Sequence, residues 1–410
     1  MSSDRSRKDK VQGQKEGPTI PHIFREYGEE YIRIYRPPLD HIKFIRAVRL
    51  CKTPGLGGRI LKCKQCHHLH YIYFSCGHAR CPCCQAIKRE QWLDKTMKML
   101  LDVPYVHLVT TVPHELNKLN KRNPKAMYNL LFRASKLTVF NLMENPTYVG
   151  GKPGMISVLH TFGSDIKYHV HAHSMLTFGG LSPDGQWVFP KHKKRICRNS
   201  LLRSKFKETY LSELKKLFDS NVLKSDKTYL QIEEEIKDKN WTVFISHPSM
   251  TTNGIMKYIS RYINRVAISE SRVEYVKKAR EVNLIYKDYR NSKEDQAPPL
   301  KIKSVNPLVF MHQMLQHLPP PYFHRCRRYG LHANSKDALT KEYITKKVKE
   351  NTHVIRTVMA ILKDLMKLEV LACEKCKHTE FETHLLKPDK SFIFRYITIP
   401  KIRSPAKAYA

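Results

Sequence analysis

Three histidines alternate with small or apolar residues in Tyr168-His169-Val170-His171-Ala172-His173-Ser174, and the run continues through Met175-Leu176-Thr177-Phe178 into Gly179-Gly180. A β-strand sends alternate side chains to one face, so His169, His171 and His173 line up together. Neutral imidazole is the commonest protein metal ligand, and such a row is half of a metal site. A strand whose histidines are satisfied by hydrogen bonds alone is the alternative. It suits a lone histidine better than a His-x-His-x-His pattern.

A second set of metal-type residues lies upstream. Seven of the eleven cysteines fall between Cys51 and Cys84, in paired spacings beside histidines. That clustering reads as metal binding in a reducing compartment, not as a secreted disulfide framework. Cys63-Lys64-Gln65-Cys66 and Cys81-Pro82-Cys83-Cys84 are two Cys-x2-Cys knuckles, and their spacing predicts Cys63, Cys66, Cys81 and Cys84 as the thiolate shell of a structural zinc. Cys76, His78, Cys83, His67, His68 and His70 are surplus: alternative ligands, a second site, or packing residues. Cys373-Glu374-Lys375-Cys376, with His378 and His384 nearby, is a lone knuckle and a weaker signal.

Tyr258 and Tyr262 stand one helical turn apart within Lys257 to Arg265, on one face of an expected helix over 253–269. Two core aromatics would show the same spacing. The interleaved Lys257, Arg261 and Arg265 favour a reactive pair, because a phenol (pKa about 10) needs a positive field or a base to act as a nucleophile.

The elements that must position these residues are readable from their periodicity. Residues 1–18 hold almost nothing to bury and are expected to be disordered. Pro21 to Arg36 is a short amphipathic piece. Val103 to Pro113 reads as a buried strand bounded by prolines, 154–162 as a second strand, and Tyr168 to Phe178 as the histidine strand. Helical spacing appears over 123–143, 201–223 and 306–318, with further strands over 241–247 and 282–290. A long basic helix is expected over 338–370. Tyr322 to Gly330 mixes aromatics with Arg325, Arg327 and Arg328, a composition suited to stacking bases and gripping phosphates; a surface loop with tucked aromatics is the alternative.

Lys and Arg number 73 against 37 Asp and Glu, a net charge of +36. So large an excess calls for a polyanionic partner, and nucleic acid bound with counterion release fits it best. No apolar run is long enough to cross a membrane and no signal peptide is visible. Between 191 and 207 stand eight Lys or Arg and no acid, Lys193, Lys194 and Arg195 among them, a run suited to phosphate contacts.

The chain resembles the rolling-circle insertion-sequence transposases with an N-terminal zinc-binding module, the two-tyrosine branch of the HUH endonucleases, from about residue 20 to the end of the expected basic helix. The resemblance rests on Ser75-Cys76 through Cys81-Pro82-Cys83-Cys84-Gln85, Val103-Pro104-Tyr105 through Pro113-His114-Glu115-Leu116-Asn117, and Leu159-His160-Thr161-Phe162-Gly163 leading to the histidines. It continues through Tyr258 to Ser269, Tyr286-Lys287-Asp288-Tyr289-Arg290, and Phe323-His324-Arg325 to Tyr329-Gly330-Leu331. It implies His171 and His173 as ligands of a catalytic Mg²⁺ or Mn²⁺, with His169 as third ligand and His160 on the neighbouring strand as the alternative. It implies Tyr258 and Tyr262 as nucleophiles that cut and rejoin single-stranded DNA through a 5′-phosphotyrosine. Val170 stands where relatives often carry proline, and Asn264 where they often carry histidine.

The implied fold is α+β: a disordered tail (1–18), a zinc module (19–97), an antiparallel HUH-type sheet domain (98–275) and a mostly helical basic region (276–410). Arg261, Arg265, Lys193, Lys194, Arg195, Arg325 and Arg327 are the expected DNA contacts, and the bacterial cytoplasm, on the nucleoid, the expected location. A decayed DNA-binding remnant, a zinc hydrolase using Asp165 as base, and a replication initiator or relaxase are the rival readings.

Overall fold

The computed structural model describes residues 19–239, 241–248, 267–288, 298–333, 338–350, 354–357, 360–361 and 372–396. In chain order the elements are α1 (Thr19–Tyr35), α2 (Leu39–Leu50), β1 (Gly58–Cys63), β2 (Leu69–Tyr73), α3 (Ala86–Lys98), β3 (Tyr105–Thr111), α4 (Asn117–Arg122), α5 (Pro124–Glu144), β4 (Gly154–Phe162), β5 (Tyr168–Thr177), β6 (Gly180–Leu181), β7 (Trp187–Val188), α6 (Asn199–Asp219), α7 (Tyr229–Ile236), β8 (Val243–Ile245), β9 (Val273–Val276), β10 (Glu281–Lys287), β11 (Leu300–Val305), β12 (Cys326–Gly330) and β13 (Phe381–Leu386). Further helices cover Pro307–Leu315, Ala338–Glu350 and Lys390–Tyr396. Helices on antiparallel sheets make this an α+β protein. Its two compact units combine 89–267 with 316–356, and 1–88 with 268–315 and 357–410.

The first unit is built on a five-stranded antiparallel sheet in the order β12-β4-β5-β3-β8. Alternation along its strands gives it two apolar faces. Val106, Leu108, Leu159, Val170, Ala172 and Leu176 share a core with Met127, Leu131 and Phe132 of α5, Phe206, Tyr210 and Leu214 of α6, and Trp241. The opposite face offers Tyr105, Ile156, Val158 and Met175 to Met97 of α3 and to Leu100. Polar groups caught inside are paired, as burial requires: Ser157 Oγ lies 2.7 Å from Ser174 Oγ across β4 and β5, and Thr110 Oγ1 lies 2.8 Å from Ser135 Oγ of α5.

Two expectations change here. Residues 326–330, for which a surface loop was the alternative reading, form the edge strand β12, with Phe323 buried just before it. Of the helix expected over 338–370, the described residues Ala338–Glu350 and 360–361 are helical while 354–357 are not, so it is interrupted. The expected helix over 253–269 falls mostly on residues outside those described.

In the second unit, Phe24 of α1 meets Phe44 of α2 edge to face at 5.8 Å. β9, β10 and β11 form one antiparallel sheet, whose Tyr275 hydroxyl lies 2.8 Å from that of Tyr27 on α1. β1 is the middle strand of another sheet, between β2 and β13, so a strand from the far end of the sequence completes the cysteine-rich region.

Two features give stability predictions. Gly330 has φ +57, and an added Cβ would lie 1.8 Å from the Pro153 carbonyl oxygen. Backbone cannot yield there, so Gly330→Ala should lower unfolding free energy by more than the roughly 1 kcal/mol of an ordinary left-handed site, read as a lower urea midpoint. An unchanged midpoint would contradict this packing of β12.

His317 and His332 are buried, and burial first of all holds their pKa values down to about 4 and about 3. His317 Nε2–H donates to the Ile166 carbonyl (2.9 Å), while His332 Nε2 lies 3.2 Å from the Tyr105 hydroxyl. The unfolded chain takes up protons on these rings near pH ~6.5, well before the folded state does. Stability is therefore present above that pH and lost as pH falls toward 4, on the order of 2 kcal/mol per group by pH 5. Urea midpoints measured at pH 7 and pH 5 should show this loss, and His317→Gln/His332→Gln should flatten it.

Candidate metal centre

Across β4 and β5, His160 stands directly opposite His171, and Val158 opposite His173. Directly opposed residues of an antiparallel pair project to the same face, so His160 joins His171 and His173 there. Their imidazole nitrogens lie within 4.8 Å of one another. His160 and His171 are buried and His173 is half-buried.

Hydrogen bonds orient the rings. His171 Nδ1 lies 3.0 Å from the His169 carbonyl oxygen, which can only accept, so Nδ1 carries the proton and Nε2 keeps a lone pair. That Nε2 lies 3.1 Å from His173 Nε2. On its other side His173 Nδ1 lies 2.9 Å from His107 Nε2, on the next strand β3, the two rings stacked 5.1 Å apart. Burial lowers the His107 pKa to about 4, so His107 stays neutral.

Two nitrogens about 2.1 Å from a shared ion lie about 3.0–3.4 Å apart, and the His171–His173 pair has that separation. With its proton on Nδ1, donated to His107, His173 presents a second lone pair beside that of His171. A backbone carbonyl of the kind behind His171 is a support that metal-bound histidines commonly carry, and the His107 ring takes the corresponding place behind His173. The donors fit a divalent ion.

The expected third ligand changes. His169 shares the face of His171, with ring centroids 4.9 Å apart, but it is exposed at the start of β5. Its contribution to the cluster is its backbone carbonyl, and the converging third ring is that of His160. Strand alternation found the face; cross-strand register decides which third ring converges there. His107 was missed as a support, although its alternation with Tyr105 and Val109 placed it on this face. Asp165, the nearby acid, sits in the β4–β5 turn with its carboxylate 3.3 Å from Lys167 Nζ.

The cysteines also regroup. Cys81 and Cys84 converge with Cys51 and Cys76, whereas Cys63 and Cys66 converge with Cys373 and Cys376. The single shell of Cys63, Cys66, Cys81 and Cys84 is thus replaced by two four-cysteine clusters. His78 serves the turn between Cys76 and Cys81: its carbonyl accepts from the Cys81 amide at 3.0 Å, and its ring packs on Phe44.

Tyr258, Tyr262, Arg261 and Arg265 lie outside the described residues. Lys193, Lys194 and Arg195 are exposed, on a segment anchored by buried Ile196 and Cys197. Arg327 is engaged internally: its guanidinium lies 4.4 Å from the Phe132 ring centroid and bonds Asn129. Arg325 is half-buried. Among the described residues no helix is long and apolar enough to cross a membrane.

Comparison with known proteins agrees with a DNA-transposing protein. Residues 23–112 match the transposase zinc-binding domain, and residues 154–339 match a family described as "Putative transposase". "Putative transposase y4qJ" of Sinorhizobium fredii is 32% identical over 332 residues, 78% of this chain and 81% of that protein. The transposase for insertion sequence element IS801 of Pseudomonas savastanoi pv. phaseolicola is 25% identical over 298 residues, 72% of this chain and 70% of the relative. No solved structure matches. The chain belongs to the rolling-circle insertion-sequence transposases with an N-terminal zinc-binding domain, the IS91 family.

Titration with Mn²⁺ followed by calorimetry checks the ligand set. His160→Ala and His171→Ala should each weaken binding at least about tenfold, and His107→Phe about tenfold as a lost support, with His169→Ala nearly neutral because its carbonyl remains. Equal effects of His169→Ala and His171→Ala would restore His169 as a ligand.

Proposed function

We propose that this transposase nicks and rejoins single-stranded DNA at its element's ends by tyrosine transesterification. The observation that carries the reading is the convergence of His160, His171 and His173 on one sheet face, with His171 and His173 oriented from behind. A divalent ion held there supplies Lewis-acid polarisation of the scissile phosphate. Three nitrogen donors suit Mn²⁺ better than Mg²⁺, which prefers oxygen.

The chain's own residues do the rest. The phenolic oxygen of Tyr258 or Tyr262 attacks phosphorus and loses its proton; the P–O3′ bond breaks and the 3′ oxygen takes up a proton. The 5′ end is then held as a phosphotyrosine, and a second 3′-OH reverses the step to reseal the strand. Two tyrosines allow a second cleavage before the first link is resolved. Lys193, Lys194, Arg195, Arg261, Arg265 and Arg325 would grip phosphates, with Arg327 better suited to bracing β12. The cluster Cys51, Cys76, Cys81 and Cys84 is suited to the structural zinc of a DNA-recognition module. A bacterial cytoplasmic setting, on the nucleoid, goes with this role. A hydrolytic reading fits less well, because Asp165 is paired with Lys167.

The test is incubation with labelled single strands covering both flanks of the element, plus Mn²⁺, followed by denaturing electrophoresis. Wild type should give a protein–DNA adduct that survives denaturation. Tyr258→Phe/Tyr262→Phe should abolish it, and His171→Ala should slow it at least about 100-fold. Cleavage without an adduct would replace tyrosine by water, and binding without cleavage would leave a DNA-binding remnant.

A further inference from the structure

We propose that Cys63, Cys66, Cys373 and Cys376 hold a second structural zinc that clasps the two ends of the chain together. The matched zinc-binding segment, 23–112, holds Cys63 and Cys66, whereas Cys373 and Cys376 lie beyond both matched segments, the second of which ends at residue 339. Cys63 Sγ lies 3.5 Å from Cys376 Sγ, and Cys66 Sγ lies 3.5 Å from Cys373 Sγ, across 313 and 307 residues of sequence. Sulfurs about 2.3 Å from one zinc ion stand about 3.8 Å apart at tetrahedral corners. A disulfide would need about 2.05 Å, and all four cysteines are free thiols.

The backbone makes the same turn twice. The Cys63 carbonyl accepts from the His67 amide at 3.0 Å and the Cys63 amide donates to the His68 carbonyl at 2.9 Å. The Cys373 carbonyl accepts from the Lys377 amide at 2.8 Å and the Cys373 amide donates to the His378 carbonyl at 2.7 Å. The residue after each second cysteine is left-handed, His67 with φ 57 and Lys377 with φ 64. Neither is glycine, so each turn bears a strain that a bound ion offsets. Cys63 and Cys373 are fully buried; four buried or half-buried thiols facing one another, with two strained turns to aim them, are a built tetrathiolate site.

The surrounding sheet locks the two knuckles in place. β1 pairs with β13 from Gly58 opposite Leu386 to Cys63 opposite Phe381, and the Lys64 amide donates to the Glu380 carbonyl at 3.1 Å. The N-terminal zinc module is therefore complete only when residues 373–386 have been made. A chain cut short after the histidine strand would keep Cys51, Cys76, Cys81 and Cys84 but lack half of the second site.

Zinc content per chain and the accessibility of each cysteine test this. Purified wild type should release two zinc ions on mercurial titration. Cys373→Ser/Cys376→Ser and Cys63→Ser/Cys66→Ser should each release one, and the four-fold combination should still release one. Alkylation of the unaltered protein, read by mass spectrometry, guards against misfolded variants. Cys63, Cys66, Cys373 and Cys376 should be protected together and become reactive together as a chelator removes zinc. Two ions retained by Cys373→Ser/Cys376→Ser would overturn the clasp, as would Cys373 and Cys376 alkylating freely while Cys63 and Cys66 stay protected. A wild-type chain carrying one ion, unchanged by Cys373→Ser/Cys376→Ser, would also overturn it.

Discussion

The pairing of β4 with β5 is the constraint on which the rest depends. Their register sets His160 opposite His171. Because side chains alternate strictly, a slip of one residue would turn His160 into the core and Leu159 toward the metal face. The slip is resisted on both faces. Leu159 and Ala172 are packed against the α5–α6 layer, Ile156 and Met175 against the α3 side, and the Ser157–Ser174 hydrogen bond would be broken. The His171 ring is held by the His169 carbonyl, which fixes its Nε2 toward His173.

The charge of the molecule works at longer range. Its excess of basic residues draws a polyanion to the surface without selecting a reaction; the exposed run at 191–195 shows how such charge is held in place. Ile196 and Cys197 pin the segment into the core while the cations before them stay in water. Arg327 shows the opposite use of the same residue type. Its guanidinium lies on two aromatic rings, Phe132 and Phe323, and holds β12 to α5.

Much of this was legible in the sequence because period-two alternation is a local property. β3, β4, β5 and α5 fall within two residues of where patterning put them. What was not legible is what distant segments bring. Spacing grouped Cys63 and Cys66 with the next knuckle along the chain, whereas β13 delivers Cys373 and Cys376 from more than 300 residues away. The choice of third histidine stayed open for the same reason: His169 is the neighbour in sequence, His160 the neighbour across the sheet, and the register brings the His160 ring to His171 and His173. The strand at 326–330 was hidden because arginines and aromatics that suggest nucleic-acid contacts can equally brace a sheet edge.

The convergence of His160, His171 and His173 implies one shared divalent ion. Pulsed electron paramagnetic resonance of the Mn²⁺-loaded protein tests it most directly, since directly bound imidazole nitrogens couple to the metal's electron spin. ¹⁴N couplings from three histidines are expected, reduced by His160→Ala and by His171→Ala and unaltered by His169→Ala. A spectrum of oxygen-ligated Mn²⁺ with no such couplings, or one that changes with His169→Ala and not with His160→Ala, would contradict it.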